Sequence, residues 1–92
     1  MNNKYDITNI FSKILRSEIS YHKVLENEHA LAFLDINPQA PIHILIIPKN
    51  QYVDFHNFTE KGSLQEITYF WKLVSDVINN KNISDTGFRI IT

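Results

Sequence analysis

Two prolines, Pro38 and Pro41, stand between apolar segments in the stretch FLDINPQAPIHILIIPK, and they constrain this chain more than any other feature. Proline fixes φ, removes a backbone donor and restricts the residue before it. Residues 37–41 therefore cannot continue either flanking strand, so we expect a turn there. Asp35 precedes this turn and His43 follows it. The sequence thus predicts two ionisable side chains at the two ends of a tight corner between strands.

The segment after the corner, residues 42–47, is apolar except for His43, and Pro48 and Lys49 end it. A run without polar alternation is typical of a strand that is covered on both faces. We therefore expect this strand to be central in its sheet. His43 would then be an ionisable group at the mouth of the most buried strand.

A short helix is predicted near the N-terminus. Ile10, Phe11, Ile14 and Leu15 share one helical face there. The simpler interpretation is a helix that packs on the sheet. Phe11, at the start of the helix, is also placed to line a ligand pocket.

A hairpin follows, with arms at residues 21–26 and 29–34 and a turn at Asn27 and Glu28. The first arm carries polar side chains, as an edge strand does. The mostly polar segment after Lys49, NQYVDFHNFTEKGSLQ, is predicted to be a linker that leads into the long helix.

A long helix is predicted from Leu64 to about Asn79, because Ser63 and Glu66 have the capping-box spacing. Its predicted apolar face consists of Leu64, Ile67, Phe70 or Trp71, Val74, and Val77 or Ile78. This face is either core or, because of its aromatic breadth, a shared dimer surface. Gly87 opens a last predicted strand at residues 87–92.

The predicted order is α, β, β, β, α, β with hairpin-linked strands. This order predicts an α+β fold, a mainly antiparallel sheet with one short N-terminal and one long helix. A chain of 92 residues is expected to form a single domain, residues 1–92.

Composition excludes several classes of function. The net charge is −1 and no Lys/Arg cluster exists, which argues against nucleic-acid binding. The chain has no cysteine, so we expect no disulfide and a cytoplasmic location. No stretch resembles a signal peptide or a membrane span, and no association with a membrane is expected.

Asp35 and His43 remain as candidates for chemistry, since no phosphate loop, nucleophile elbow or metalloprotease motif is present. Asp35 either accepts hydrogen bonds from a ligand's hydroxyls or closes the corner as an Asx-turn. His43 is either a satisfied core histidine or part of a proton network. His22 and His29 are predicted at the surface near the hairpin turn, and no metal site or cofactor is expected.

The segments NIFSKILRSEIS, LAFLDINPQAPIHILIIPK and GFRIIT resemble the histidine triad (HIT) family, in its purine nucleotide-binding branch. The most specific part is D-I-x-P-Q-A-P-x-H-x-L-x-I-P-K, and the match extends from Ile10 through nearly the whole chain. The resemblance implies a homodimer that meets at its long helices and late strands. It also implies hydrolysis or transfer at a nucleotide's α-phosphate through a nucleotidyl-histidine.

The resemblance implies roles for six residues of this chain. Asp35 matches the residue that binds the ribose hydroxyls, and Ile36 matches one that packs on the purine. His43 matches a histidine that is hydrogen-bonded into the catalytic network behind the active site. Three further residues match positions that line the base pocket: Ile10, Phe11 and Phe33.

The chain departs from the family in two places. The naming motif, H-x-H-x-H on a last strand, would follow Thr92, and none of the four histidines present lies two residues from another. We therefore expect a form that is truncated before its catalytic strand, that lacks the nucleophile and that is inactive as written. Gln51 stands where many members have a histidine.

Two functions are predicted from these observations. The first is a HIT-family nucleotide-binding protein of the hydrolase or transferase type. The alternative is a non-catalytic dimeric interaction module or weak purine-binding module. Without the last strand, the edge beside residues 42–47 is expected to be filled by residues 88–92 or by a neighbouring chain.

Overall fold

The computed structural model describes residues 21–35 and 42–91. They form an antiparallel sheet of three strands in the order β1-β2-β3, followed by two helices. The strands are β1 (Lys23–Glu26), β2 (Ala30–Leu34) and β3 (Ile44–Pro48), and the helices are α1 (Phe55–Lys61) and α2 (Leu64–Asn80). The predicted α+β class and antiparallel sheet are confirmed. The predicted N-terminal helix, including Ile10 and Phe11, and the corner with Ile36 lie outside the described residues.

The predicted hairpin is confirmed, and Asn27 forms its turn. The side-chain oxygen of Asn27 accepts hydrogen bonds from the backbone amides of His29 and Ala30, at 3.0 and 2.9 Å. Its side-chain nitrogen donates to the carbonyl oxygen of Tyr69 in α2, at 2.8 Å. One side chain therefore closes the turn and fastens it to the long helix. An irregularity in register between Lys23 and Leu25 interrupts β1.

In the sheet that residues 21–35 and 42–91 form, the central strand is β2, which corrects the prediction for residues 42–47. Four residues of β2 are buried, whereas every residue of β3 is half-buried and Ile42 is 47% exposed. In the described part of the chain β2 is paired on both sides and β3 on one side. An apolar run therefore did not distinguish a central strand from an edge strand.

The two faces of the sheet carry different residues. Ala30 and Ala32 face α2 and pack with Leu73 and Val77, because their small side chains let the helix approach closely. Leu31 and Phe33 belong to a second buried cluster with Tyr21, Leu45 and Ile47. Since side chains alternate along a strand, this second cluster lies on the sheet face opposite α2.

The long helix extends one residue beyond its predicted end, and its capping box is present. Its buried face is centred on Glu66, Leu73 and Val77. The predicted face is wrong at Leu64, which is 81% exposed at the first helical position. Leu73, which the predicted face omits, is its most buried residue.

Helix α1 is a second correction, because the sequence predicts a linker there. Asp54 caps the helix by accepting a hydrogen bond from the backbone amide of Asn57, at 2.8 Å. Phe58 is its one buried residue, so the helix has little apolar periodicity. At Gly62 a Cβ atom would lie 2.5 Å from the carbonyl oxygen of Phe58, and only glycine avoids this contact.

The predicted last strand is also wrong within the described residues. Residues 87–91 contain no strand, and Phe88, Ile90 and Ile91 are exposed. A strand requires a ladder partner, and the described sheet gives this segment none. The segment therefore does not fill the edge beside β3, which removes one of the two expected ways of covering that edge. No helix in the described residues is both long enough and apolar enough to cross a membrane.

Candidate functional site

Asp35 and His43 lie opposite each other where β2 and β3 end. The backbone amide of Asp35 donates to the carbonyl oxygen of His43 at 3.1 Å, which extends the register of the preceding pair, Leu34 and Ile44. Directly opposed residues of antiparallel strands project their side chains to the same face. Accordingly, Nδ1 of His43 lies 3.4 Å from Oδ2 of Asp35. The two residues that the sequence places at the ends of the corner are thus brought together.

The pair is partly accessible. The side chains of His43 and Asp35 are 28% and 19% exposed. A buried core histidine, one of the two interpretations of the sequence, does not fit this exposure. The structure instead places the imidazole beside a carboxylate at the rim of the sheet. The distance suits an ion pair when the imidazole is protonated.

Phe33 gives the site an apolar neighbour. Strand alternation places Phe33 on the same face as Asp35, opposite α2. Phe33 is 3% exposed, and the edge of the Tyr21 ring contacts it with centroids 6.0 Å apart at 71°. Tyr21 was not among the predicted site residues, although the hairpin pairing could have placed it beside Phe33.

Of the six predicted site residues, the structure describes three, Phe33, Asp35 and His43, and places them on one face. Ile10, Phe11 and Ile36 lie outside the described residues. The arrangement that is visible offers a carboxylate and an imidazole next to an aromatic side chain. The carboxylate and the imidazole can accept and donate hydrogen bonds to a ligand, and the buried Phe33 belongs to the apolar cluster on the same face.

A second carboxylate, Glu66, has a structural role. It is 9% exposed and accepts hydrogen bonds from the Asn50 side-chain nitrogen at 2.9 Å and the Ser63 backbone amide at 3.0 Å. The Tyr52 hydroxyl lies 3.0 and 2.9 Å from its two oxygens. The Ser63 amide, then Asn50 and Tyr52, hold the pKa of Glu66 at about 2, although burial acts in the opposite direction. This cluster joins the segment after β3 to the start of α2.

A third carboxylate, Glu26, lies on the surface at the end of β1. Lys23 and Lys49 approach its two oxygens at 2.7 and 2.8 Å. The hydrogen bond from Lys23, followed by that from Lys49, lowers the pKa of Glu26 to about 2. All three side chains are more than a third exposed, so this is a solvent-facing network that connects β1 to the end of β3.

The remaining histidines differ from one another. His22 is exposed, as predicted. His29 is only half-exposed, which corrects its predicted surface position. Its ring packs edge-on against Tyr69 at 4.9 Å, and its Nε2 is shielded without a hydrogen-bond partner. His56 is exposed on α1 and lies 3.3 Å from a Glu60 oxygen. No three metal-binding side chains come together in residues 21–35 and 42–91.

Comparison with known proteins gives a consistent result. The model of the HIT domain family matches residues 16–92. A 13.2 kDa HIT-like protein of Azospirillum brasilense is 49% identical over 88 residues, which cover 96% of this chain and 72% of that protein. A 14 kDa zinc-binding protein of Zea mays is 61% identical over 87 residues, which cover 94% of this chain and 67% of that protein.

A solved structure shares this fold. The structure of a HIT family hydrolase from Clostridium thermocellum has a TM-score of 0.82 and 33% sequence identity to this chain. The match covers 92% of this chain and 73% of that one. Both the sequence and the arrangement of helices and strands are therefore shared.

Proposed function

This chain belongs to the HIT family, whose relatives include hydrolases, and from that premise we propose that it binds purine nucleosides or nucleotides beside Asp35 and His43. The observation that carries the proposal is the placement of Asp35, His43 and Phe33 on one face at the end of two strands. The resemblance assigned roles in nucleotide binding and catalysis to these same three residues.

Asp35 suits the ribose of such a ligand. Its side chain is partly exposed, and a carboxylate accepts hydrogen bonds from both hydroxyls of a vicinal diol. Phe33, on the same face, is 3% exposed and packs against Tyr21, so in this proposal it supports the base pocket from within the core. Ile10, Phe11 and Ile36 complete the base pocket in this proposal. Purine nucleosides combine a flat apolar base with a diol, which suits an apolar pocket that has a carboxylate at its rim.

The proposed chemistry of the family takes place at the α-phosphate, through a histidine nucleophile. The four histidines of these 92 residues are His22, His29, His43 and His56, and no two lie at the i, i+2 spacing. We therefore propose binding without turnover for the 92-residue chain. His43 supports the site in this proposal and does not attack phosphorus.

The test compares ligands and one variant. Protein-observed NMR titration with adenosine is expected to show saturable shifts with a dissociation constant weaker than about 1 mM, equivalent to about −4 kcal/mol. Cytidine should bind more weakly, and Asp35→Asn should weaken adenosine binding. Incubation with a purine nucleoside phosphoramidate should release no product. Equal affinity for adenosine in the Asp35→Asn variant would contradict the proposed ribose contact.

We also propose a homodimer that uses the aromatic side of the helices, and this surface would serve the alternative function of a non-catalytic interaction module. Phe55 and Trp71 pack edge-on at 6.3 Å and are 45% and 37% exposed. Exposed aromatic pairs are typical of interfaces. Sedimentation equilibrium should show a dimer that Trp71→Ala weakens, and a monomer at all concentrations would contradict it. The cytoplasmic location stays a prediction, which cell fractionation tests.

A further inference from the structure

We infer that His43 is a positioning residue for the carboxylate that binds ribose: its imidazole holds the Asp35 side chain in the orientation that accepts hydrogen bonds from the sugar. This inference rests on the proposed function. It gives His43 a role in nucleoside binding that is separate from any step at phosphorus.

The backbone fixes the contact between the two residues. The amide of Asp35 donates to the carbonyl oxygen of His43, and the ladder continues from there through the next five residues of each strand. The register therefore determines that these two side chains lie next to each other on one face. Any residue at position 43 would adjoin Asp35, so position 43 can influence the rotamer of the carboxylate.

The chemistry of the imidazole suits that influence. Nδ1 of His43 lies 3.4 Å from Oδ2 of Asp35, and both side chains are partly shielded from water. Shielding strengthens an interaction between an imidazole and a carboxylate relative to a fully exposed pair. A carboxylate offers about four acceptor sites, so contact with His43 is compatible with simultaneous contact with a diol.

The benefit to binding is preorganisation. When a ligand orders a carboxylate that rotates freely before binding, the loss of side-chain entropy makes the binding free energy less favourable. A carboxylate already held by a neighbouring side chain needs less ordering when the ribose arrives. The effect is specific to the part of the ligand that touches Asp35. Removing the imidazole should therefore weaken the ribose contact and leave the base contact unchanged.

The experiment measures the ribose contribution directly. Dissociation constants for adenosine and for 2′,3′-dideoxyadenosine are measured by NMR titration. The constant for dideoxyadenosine divided by that for adenosine is the ratio that reports what the hydroxyls contribute. His43→Ala should reduce this ratio about fivefold, because a partly shielded contact between two ionisable side chains contributes up to about this much. His43→Asn should restore it to within about twofold, since its side-chain nitrogen can occupy the place of Nδ1.

A double variant and a matched control complete the design. In Asp35→Asn the His43→Ala change should have no further effect on the ratio, because the two residues act through one contact. His56→Ala removes another imidazole that lies near a carboxylate, Glu60, but its side chain is 83% exposed on α1. It should leave the ratio unchanged. Thermal unfolding of each variant confirms that it is folded.

The outcomes separate the inference from the function on which it rests. If a folded His43→Ala variant has the same ratio of dissociation constants as the unmodified protein, the inference is overturned and the proposed function is left intact. An equal loss of affinity for both ligands also overturns it, since that result assigns His43 to the base pocket or the scaffold. No adenosine binding by the unmodified chain refutes the proposed function and the inference together.

Discussion

Glu66 and Asp35 are both shielded carboxylates, yet their surroundings differ. Glu66 is 9% exposed and is surrounded by neutral donors: an amide side chain, a hydroxyl and a backbone amide. Asp35 lies at the rim of the sheet beside an imidazole, His43, and its side chain is 19% exposed. One carboxylate lies where chain segments meet, and the other lies where the chain meets solvent.

The difference indicates which of the two carboxylates stabilises the folded state. Donors that are neutral around pH 7 stabilise the charged form of Glu66, and they hold its pKa at about 2. They come from separate segments, so breaking the cluster costs folding free energy. The neighbour of Asp35 is an imidazole, that of His43, at a partly accessible position on the adjoining strand end. A carboxylate at an accessible rim can also contact a ligand, which suits binding.

The largest expected effect is on the Glu66 cluster. Glu66→Ala should lower the free energy of unfolding by about 3 kcal/mol, because three partly buried donors lose their acceptor at about 1 kcal/mol each. The loss of the capping box is part of this effect. Urea unfolding measures it. Glu60→Ala, at a side chain that is 55% exposed on α1, is the control and should change stability little. Equal stability of the two variants would show that Glu66 contributes no more than a surface residue.

The second expected effect is on acid stability. The pKa of Glu66 is about 2 in the folded state and 4.5 for the unperturbed group, so its contribution is fully present above pH 4.5. It is lost as the pH falls from there toward 2, because the unfolded state then binds the proton more readily. Glu66→Gln should remove roughly 1 to 2 kcal/mol of this pH dependence. Urea unfolding at pH 7, 4 and 3 measures the slope, and an unchanged slope would contradict the assignment.

The sequence predicted the local features that short-range rules determine. The turn at Asn27, the capping box at Ser63 and Glu66, and the antiparallel hairpin all follow from residue types at fixed spacing. The contact between Asp35 and His43 was implied in part, because a tight corner brings its two ends together. The resemblance then singled out the same residues for the site.

The predictions that were wrong concern features that strand pairing and side-chain packing determine. Burial of β2 instead of β3 depends on which strands pair on each side, and no residue type encodes that. Residues 87–91 have the composition of a strand but lack a partner in the described sheet. Helix α1 has a single buried residue, Phe58, so periodicity could not reveal it. The partners of Glu66, Asn50 and Tyr52, lie 14 to 16 residues away in a segment without a motif.

The third expected effect concerns Glu26, which resembles Glu66 in its lowered pKa of about 2 but not in its exposure. Its partners are the charged side chains Lys23 and Lys49, in contact with solvent. Glu26→Gln should therefore cost less than about 1 kcal/mol, since water and salt screen such pairs. Urea unfolding at low and high salt should show that the difference from the unmodified protein shrinks with salt. A loss as large as that of Glu66→Ala would mean that exposure does not separate the two clusters.

The smallest expected effect on stability is at Asp35, and it tests the comparison most directly. Asp35→Asn keeps the size of the side chain and one acceptor oxygen, so the free energy of unfolding at pH 7.5 should change by no more than about 0.5 kcal/mol. The same variant should lose the preference for adenosine over 2′,3′-dideoxyadenosine. A loss of stability like that of Glu66→Ala, with the preference retained, would make Asp35 a second structural carboxylate. A stable variant that no longer prefers adenosine over 2′,3′-dideoxyadenosine would mean that Asp35 contributes to ligand binding, whereas Glu66 contributes to stability.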